Sequence, residues 1–296
     1  MLNKQHPERD HNPSLRQGLV AGANRPKVFM MRTMIRYSYM FIDTRAIFAG
    51  DLSPTFDLVR SCGYEGVELN LFPGLIEQSD RLQQALDTNG LTVPAVLTGA
   101  AYNDGLCLSS ADQSVRQGAV EYLIDCLEIA QRFQSILVVG LLQGLRSDEP
   151  DPVVANRRIV DGLQRVGASA EKLGVELVIE PINHLQVGFN NSVSEVRKLI
   201  AAVGSPAFKP MVDTIHMNIE ETSLTEPIHD CGAELRHVHL CESNGAALGS
   251  GHIDFAAVLR ALNDIAYDGF ASVKVYRMVG VEEAATASIE YLRRQA

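Results

Sequence analysis

The sequence predicts an α/β domain of the (β/α)₈ barrel class, and three observations carry that expectation. Eight short apolar runs alternate with eight stretches of helical periodicity over roughly residues 34–294. Several of the helical stretches open on Asp, Ser or Pro and close on Gly, the ordinary start and stop chemistry of helices. Four of the apolar runs also end on Glu, Asp, His or Lys, and a barrel of this class carries its site at the carboxyl ends of its strands.

The first strand is read over 35–41, and Ser53-Pro54 is expected to cap a helix that runs to Arg60 and stops at Gly63. Strand two, 66–70, turns Glu68 inward by alternation, and the helix over 75–88 ends at Asn89-Gly90. Strand three, 91–98, opens into a long loop, 99–110. In the helix over 112–133, Val115, Ala119, Tyr122, Leu123, Cys126 and Ala130 fall on one helical face. Strand four, 135–141, precedes a helix over 152–173 stopped by Gly174. Strand five, 175–180, leads to a helix over 192–203, and strand six, 208–213, to a short helix over 224–231. Strand seven is 236–241, with Asp254 capping a helix to Ala266; strand eight is 270–276, and the last helix is 281–294.

Residues 1–33 stand apart. They lack periodicity and carry six Lys or Arg against Glu8 and Asp10, so they read as a disordered extension before a barrel domain over 34–296, with Met34 as an alternative start.

A chain of 296 residues with 46% hydrophobic content can bury a large core. The net charge of −10 and pI near 5.3 argue against a nucleic-acid or anionic-membrane surface, because phosphate binding needs a basic footprint. Cys62, Cys107, Cys126, Cys231 and Cys241 are odd in number and widely spaced, as in a protein of reduced thiols. With no apolar window of membrane-spanning length and no secretory leader, the expected location is cytoplasmic.

The chemistry gathers on strands five to eight. Glu180, Asp213 and His239 end three successive strands, and two carboxylates with one imidazole can neutralise a divalent cation while leaving positions open for substrate oxygens. Alternation places Glu180 on the face of Val178, His239 on that of His237, and Lys274 on that of Ser272 and Tyr276. Leu177, Ile179, Val238, Leu240, Val273 and Val275 then point outward. His237 reads as a hydrogen-bonded core residue behind the ligands. Glu68 could bond substrate hydroxyls or those histidines, Glu242 could supply a replacement ligand or acid, and His252 is expected in a loop contact. Cys241 has no base arranged to make it a nucleophile.

The run Asp213-Thr214-Ile215-His216-Met217-Asn218-Ile219-Glu220-Glu221 resembles strand six of the D-tagatose 3-epimerase and D-psicose 3-epimerase group, in the xylose-isomerase-like barrel superfamily. Glu180-Pro181-Ile182-Asn183, His237-Val238-His239-Leu240, Gly99-Ala100-Ala101-Tyr102 and Ser109-Ser110 extend the likeness to about residues 34–294. The resemblance implies one divalent metal, Mn²⁺ first with Mg²⁺ or Co²⁺ as alternatives, held by Glu180, Asp213 and His239. It also implies a carbohydrate substrate bonded by His216; Gln186, Glu68 and Glu242 are candidates for further substrate contacts, although a residue at Glu242's place is usually a supporting one in that family. Two glutamates, on strands five and eight, would exchange a proton beside the carbonyl through an enediolate. A homo-oligomer is left open.

The chain departs from that pattern at four positions. Lys274 stands in place of the strand-eight glutamate, Gln186 in place of a glutamate, and His184 and Gly245 in place of arginines. Glu180 and Lys274 become the expected acid–base pair of an isomerase or epimerase. The competing readings are a lyase or dehydratase acting on a 3-oxo sugar or its glycoside, and a non-catalytic sugar-binding barrel. Two unit charges about 4 Å apart repel by about 4 kcal/mol at an effective dielectric near 20. Beside a metal partly neutralised by two carboxylates, Lys274 is expected anywhere from its ordinary pKa down to near neutrality, where it could act as a general acid or base. In the less favoured arrangement, its ammonium takes the metal's place between Glu180 and Asp213.

Overall fold

Eight parallel strands form a closed ring: β1 (Arg36–Phe41), β2 (Gly66–Asn70), β3 (Ala95–Leu97), β4 (Ile136–Val139), β5 (Leu177–Ile179), β6 (Phe208–Asp213), β7 (His237–Leu240) and β8 (Phe270–Val273). Each strand pairs with the next, and β8 pairs with β1. The protein is represented by a computed structural model that describes residues 35–277 and 280–295, so the expectation for 1–33 lies outside the described residues.

The helices are α1 (Thr44–Phe48), α2 (Leu52–Cys62), α3 (Ser79–Asn89), α4 (Ala100–Asn103), α5 (Gln113–Phe133), α6 (Pro152–Leu173), α7 (Val193–Val203), α8 (Thr214–Glu220), α9 (Glu226–Cys231), α10 (Phe255–Asp264) and α11 (Val281–Gln295). Asp51, Asp112, Asp151 and Asp254 each accept a hydrogen bond from a backbone N–H of the first turn of α2, α5, α6 and α10. Ser192 and Glu195 close a reciprocal capping box on α7. Gly174 ends α6 at φ +67°, a left-handed conformation open to a residue without Cβ.

Three departures from the sequence reading have local causes. Asp51, not Ser53, caps α2, which moves Pro54 into the first turn, where a missing N–H costs nothing. Strand three shrinks to Ala95–Leu97 because Pro94 cannot donate to a ladder; its carbonyl still accepts from Ile136 N at 2.9 Å. Two residues separate the short helices α1 and α4 from the ends of β1 and β3, and α8 follows β6 directly. α8 was hidden in the sequence because Asp213, read as a strand tip, is also its N-cap: Oδ1 accepts from Ile215 N at 3.0 Å.

Alternation sorts the strand residues as expected. Leu177, Ile179, Val238, Leu240, Val273 and Val275 belong to the large apolar layer between strands and helices. Inside the ring a smaller apolar cluster holds Met40, Ala95, Leu97, Ile136, Val138, Val178 and Met211. Ser38, Glu68, His237, His239 and Ser272 are fully buried as well. Cys62, Cys107, Cys126, Cys231 and Cys241 are free thiols. Among the described residues no helix is long and apolar enough to cross a membrane.

Candidate active site

Register places the polar groups. Asp213, the last residue of β6, is paired with His239 of β7, and His239 with Ser272 of β8. Glu180 follows β5 directly, its N–H donating to Val139 O at 2.9 Å; Lys274 follows β8, its N–H donating to Leu240 O at 2.9 Å. The ladder thus continues one residue past both strands and fixes the origin of both side chains. Glu180, Asp213, His216, His239 and Lys274 are all buried, none more than 4% exposed.

Lys274 is the centre of this group. Its Nζ donates to Glu180 Oε1 at 2.8 Å and to Asp213 Oδ2 at 2.7 Å. Burial alone would lower the lysine's pKa, but Asp213 and Glu180 outweigh it and hold the ammonium well above its ordinary value. The direction is opposite to the one expected for a lysine beside a metal, because the groups bonded to Nζ are two anions. Burial likewise raises Glu180, against which Lys274 and then His239 pull it down to about 2. Asp213 is held well below the carboxylate range against the same burial, with Lys274 the strongest opposing charge. Both carboxylates are ionised at neutral pH.

His239 joins this cluster to a second one below it. Its Nδ1 lies 3.1 Å from Glu180 Oε1 and 3.3 Å from Asp213 Oδ2, while Nε2 lies 3.2 Å from Glu68 Oε2. Burial disfavours a charged ring, but Glu68, Asp213 and Glu180 hold His239 well above the ordinary histidine value. Glu68 also meets His237 Nε2 at 2.7 Å, a close ionic approach that is not aligned as a hydrogen bond, and accepts from Ser38 Oγ at 3.4 Å. Burial raises Glu68, yet His237 and His239 together keep it well below the usual range.

His216 has the opposite character. Burial is the largest influence and lowers its pKa, so the ring is neutral near pH 7. Asn183 Nδ2 sits 2.8 Å from Nδ1, which assigns the ring proton to Nε2. That Nε2 has no hydrogen-bond partner among the described residues and lies 3.7 and 3.8 Å from Glu180 Oε1 and Asp213 Oδ2.

These donors fit a divalent cation. Glu180, Asp213 and His216 offer ligand atoms within 4.8 Å of one another, while the orphaned His216 Nε2–H is a buried donor that a substrate oxygen would satisfy. His239 Nδ1 approaches the same two oxygens, and its use as a ligand would release a proton. Lys274 Nζ bonds the very oxygens such an ion would take.

A cavity of about 270 Å³ opens above the cluster, lined by Glu180, Gln186, His216, Lys274 and Tyr276, by Asn70 and Asn103, and by an apolar wall that includes Met40, Leu97 and Ile182. Of the sequence candidates, Glu180, Lys274, His216 and Gln186 face it, with Asp213 and His239 directly beneath. Glu68 does not reach it. Glu242 is also displaced: its carboxylate accepts from Ser243 N, Gly249 N and Ile253 N, and so braces the loop after β7. His184 turns to Glu220, and His252 meets Asn218 in a loop contact. Residues missed by sequence reasoning include Asn70, Asn103 and Gly140. Asn70 ends β2 as Glu180 follows β5, so the strand-tip rule could have found it; Gly140 has no side chain to signal anything. A Cβ there would lie 2.8 Å from Glu180 Oε2, the oxygen that accepts no hydrogen bond among the described residues.

Comparison with known proteins bears on the family and the fold. The family model described as "Xylose isomerase-like TIM barrel" matches residues 56–295. A D-psicose 3-epimerase of Enterocloster bolteae is 29% identical over 258 residues, 83% of this chain and 84% of its own length. A ketose 3-epimerase of Arthrobacter globiformis is 28% identical over 214 residues, 71% of this chain and 72% of its own. The fold matches the crystal structure of D-psicose 3-epimerase with D-tagatose from Clostridium cellulolyticum H10 at TM-score 0.75 and 23% identity, covering 88% of this chain and 99% of that one.

Proposed function

The chain belongs to the xylose isomerase-like TIM barrel family, and we propose that it is a metal-dependent carbohydrate epimerase acting by proton transfer beside a carbonyl. The observation that carries this reading is the division of labour on Glu180. Its Oε1 is held by Lys274 and His239, while its Oε2 accepts no hydrogen bond among the described residues, and the side chain lines the cavity beside His216. Oε2 is the oxygen placed to take a proton from carbon.

The remaining steps follow from the neighbours. His216 Nε2–H is aimed to donate to a substrate oxygen, and Gln186 offers an amide from the wall. Lys274 lines the same cavity and carries an ammonium that can donate to a substrate oxygen. Glu180, Asp213 and His239 would hold the divalent ion, Mn²⁺ in this proposal, which supplies a Lewis acid for the carbonyl and hydroxyl oxygens.

The relatives named for ketoses suggest the substrate panel. Deuterium uptake from ²H₂O into free ketoses, phosphorylated ketoses and 3-oxo sugars, followed by NMR in Mn²⁺, should find exchange at a carbon next to a carbonyl in one class. Glu180→Gln should reduce the exchange by at least about 100-fold, the lower range for losing a general base. Elimination of a leaving group without exchange would replace the epimerase reading by a lyase. No turnover of any sugar would reduce the protein to a binding barrel.

A further inference from the structure

We propose that Lys274 is a built-in counter-cation that occupies the metal position of this barrel and that a divalent ion enters only by displacing it. The inference rests on the metal ligands assigned under the proposed function and goes beyond them to how the site is loaded.

The geometry points to competition. A metal bridging Glu180 and Asp213 needs an oxygen from each, and Nζ bonds Glu180 Oε1 at 2.8 Å and Asp213 Oδ2 at 2.7 Å. The other oxygens have different duties. Asp213 Oδ1 caps α8 through Ile215 N, and Glu180 Oε2 packs where Gly140 leaves room for it. Asp213 therefore cannot offer its second oxygen to an ion and keep the lysine on the first without losing the cap on α8, and Glu180 could do so only by giving up the oxygen proposed to take the proton.

The charge balance agrees. Two buried carboxylates side by side would repel strongly without a cation between them. Lys274 supplies that cation from within the chain and lies between the two carboxylates. A place for the displaced ammonium also exists: Lys274 lines the cavity, and the Tyr276 ring centroid is already 5.2 Å from Nζ. Binding of the ion thus breaks two charge-assisted hydrogen bonds before any metal–ligand bond counts as gain, which weakens metal affinity relative to the same site without the ammonium.

The test is Mn²⁺ binding by calorimetry on the parent, Lys274→Met and Lys274→Arg, together with melting temperatures in chelator and in Mn²⁺. Lys274→Met should bind Mn²⁺ at least tenfold more tightly than the parent. Its melting temperature should fall in chelator and recover in Mn²⁺, whereas the parent's should move little. Lys274→Arg keeps the charge and should stay stable in chelator while binding no more tightly than the parent. If Lys274→Met unfolds without metal, purification in Mn²⁺ followed by chelator titration gives the same answer, because unfolding in the variant alone supports the inference. Equal Mn²⁺ affinity in parent and Lys274→Met overturns the displacement while leaving the metal centre standing. Absence of Mn²⁺ binding in both overturns the metal centre itself, and the displacement with it.

Discussion

The two ionic clusters that share His239 are built from the same residue types and do opposite things. Above it, Glu180, Asp213, His216 and Lys274 sit at the floor of a cavity, with one carboxylate oxygen and one imidazole N–H left for a ligand. Below it, Glu68 is sealed at 0% exposure between His237 and His239, with Ser38 as a further donor. Burial of a lone carboxylate among imidazoles builds structure, because no group of that cluster lines the cavity. A pair of carboxylates bridged by a lysine beside a cavity keeps groups in reserve. His239 can serve both because its two ring nitrogens face opposite clusters.

The sharpest way to break this contrast is to neutralise one acid in each cluster. Glu68→Gln removes the carboxylate between His237 and His239 and should cost about 3–5 kcal/mol of stability, read by denaturant unfolding. Glu180→Gln should cost clearly less, since Asp213 still pairs Lys274, although it removes the proposed base. If Glu180→Gln unfolds the protein more than Glu68→Gln, the division into a structural and a chemical cluster is wrong.

Acid should separate the clusters from the rest of the molecule. Glu180, Asp213 and Glu68 all have pKa values below their ordinary ones. The stability they contribute is therefore present above the unfolded value of about 4.5 for a glutamate and is lost as pH falls toward the folded value, about 2 for Glu180. His239, raised above 6.5, contributes in the other sense: its share is present below that pH and is lost only as pH rises through the folded value. The melting temperature should drop between about pH 4.5 and 2, with a shallower slope in Glu68→Gln; a flat profile over that range would refute the ionised clusters.

Smaller effects sharpen the upper cluster. Gly140→Ala would put a Cβ 2.7 Å from Ile182 Cδ1 and 2.8 Å from Glu180 Oε2. Displacing the carboxylate should reduce kcat about 10- to 100-fold, as small misplacements of reacting groups do, with only a modest change in melting temperature. Unchanged kcat would mean that Oε2 is not the proton acceptor. The smallest effect is expected at the other end of the chain. A protein starting at Met34 should melt within error of the full chain, because residues 1–33 carry no pattern able to join the core.

The sequence by itself determined the barrel and the inward set of residues. Eight apolar runs, the Asp, Ser and Gly signals at helix ends and the period-2 alternation of Val178-Glu180, His237-His239 and Ser272-Lys274 are local properties, and each is present before any strand pairs. The proposed site was legible as far as its carboxylates, His216, His239, Gln186 and Lys274, since strand tips of this fold converge on one end. Tertiary structure alone decided what those groups do to one another. Glu68 and Glu180 are both inward glutamates in the sequence, yet one ends beneath His239 and the other above it, because register and depth in the barrel are set by pairing between strands far apart in the chain. Glu242 could be assigned to the loop after β7 only once Gly249 and Ile253 had folded back onto it. The charge of Lys274 likewise depended on which neighbours its long side chain could reach: alternation gave its direction, and only the closed ring brought Glu180 and Asp213 within 2.8 Å. Electrostatic interaction depends on distance through space, which a sequence fixes only after the barrel has closed.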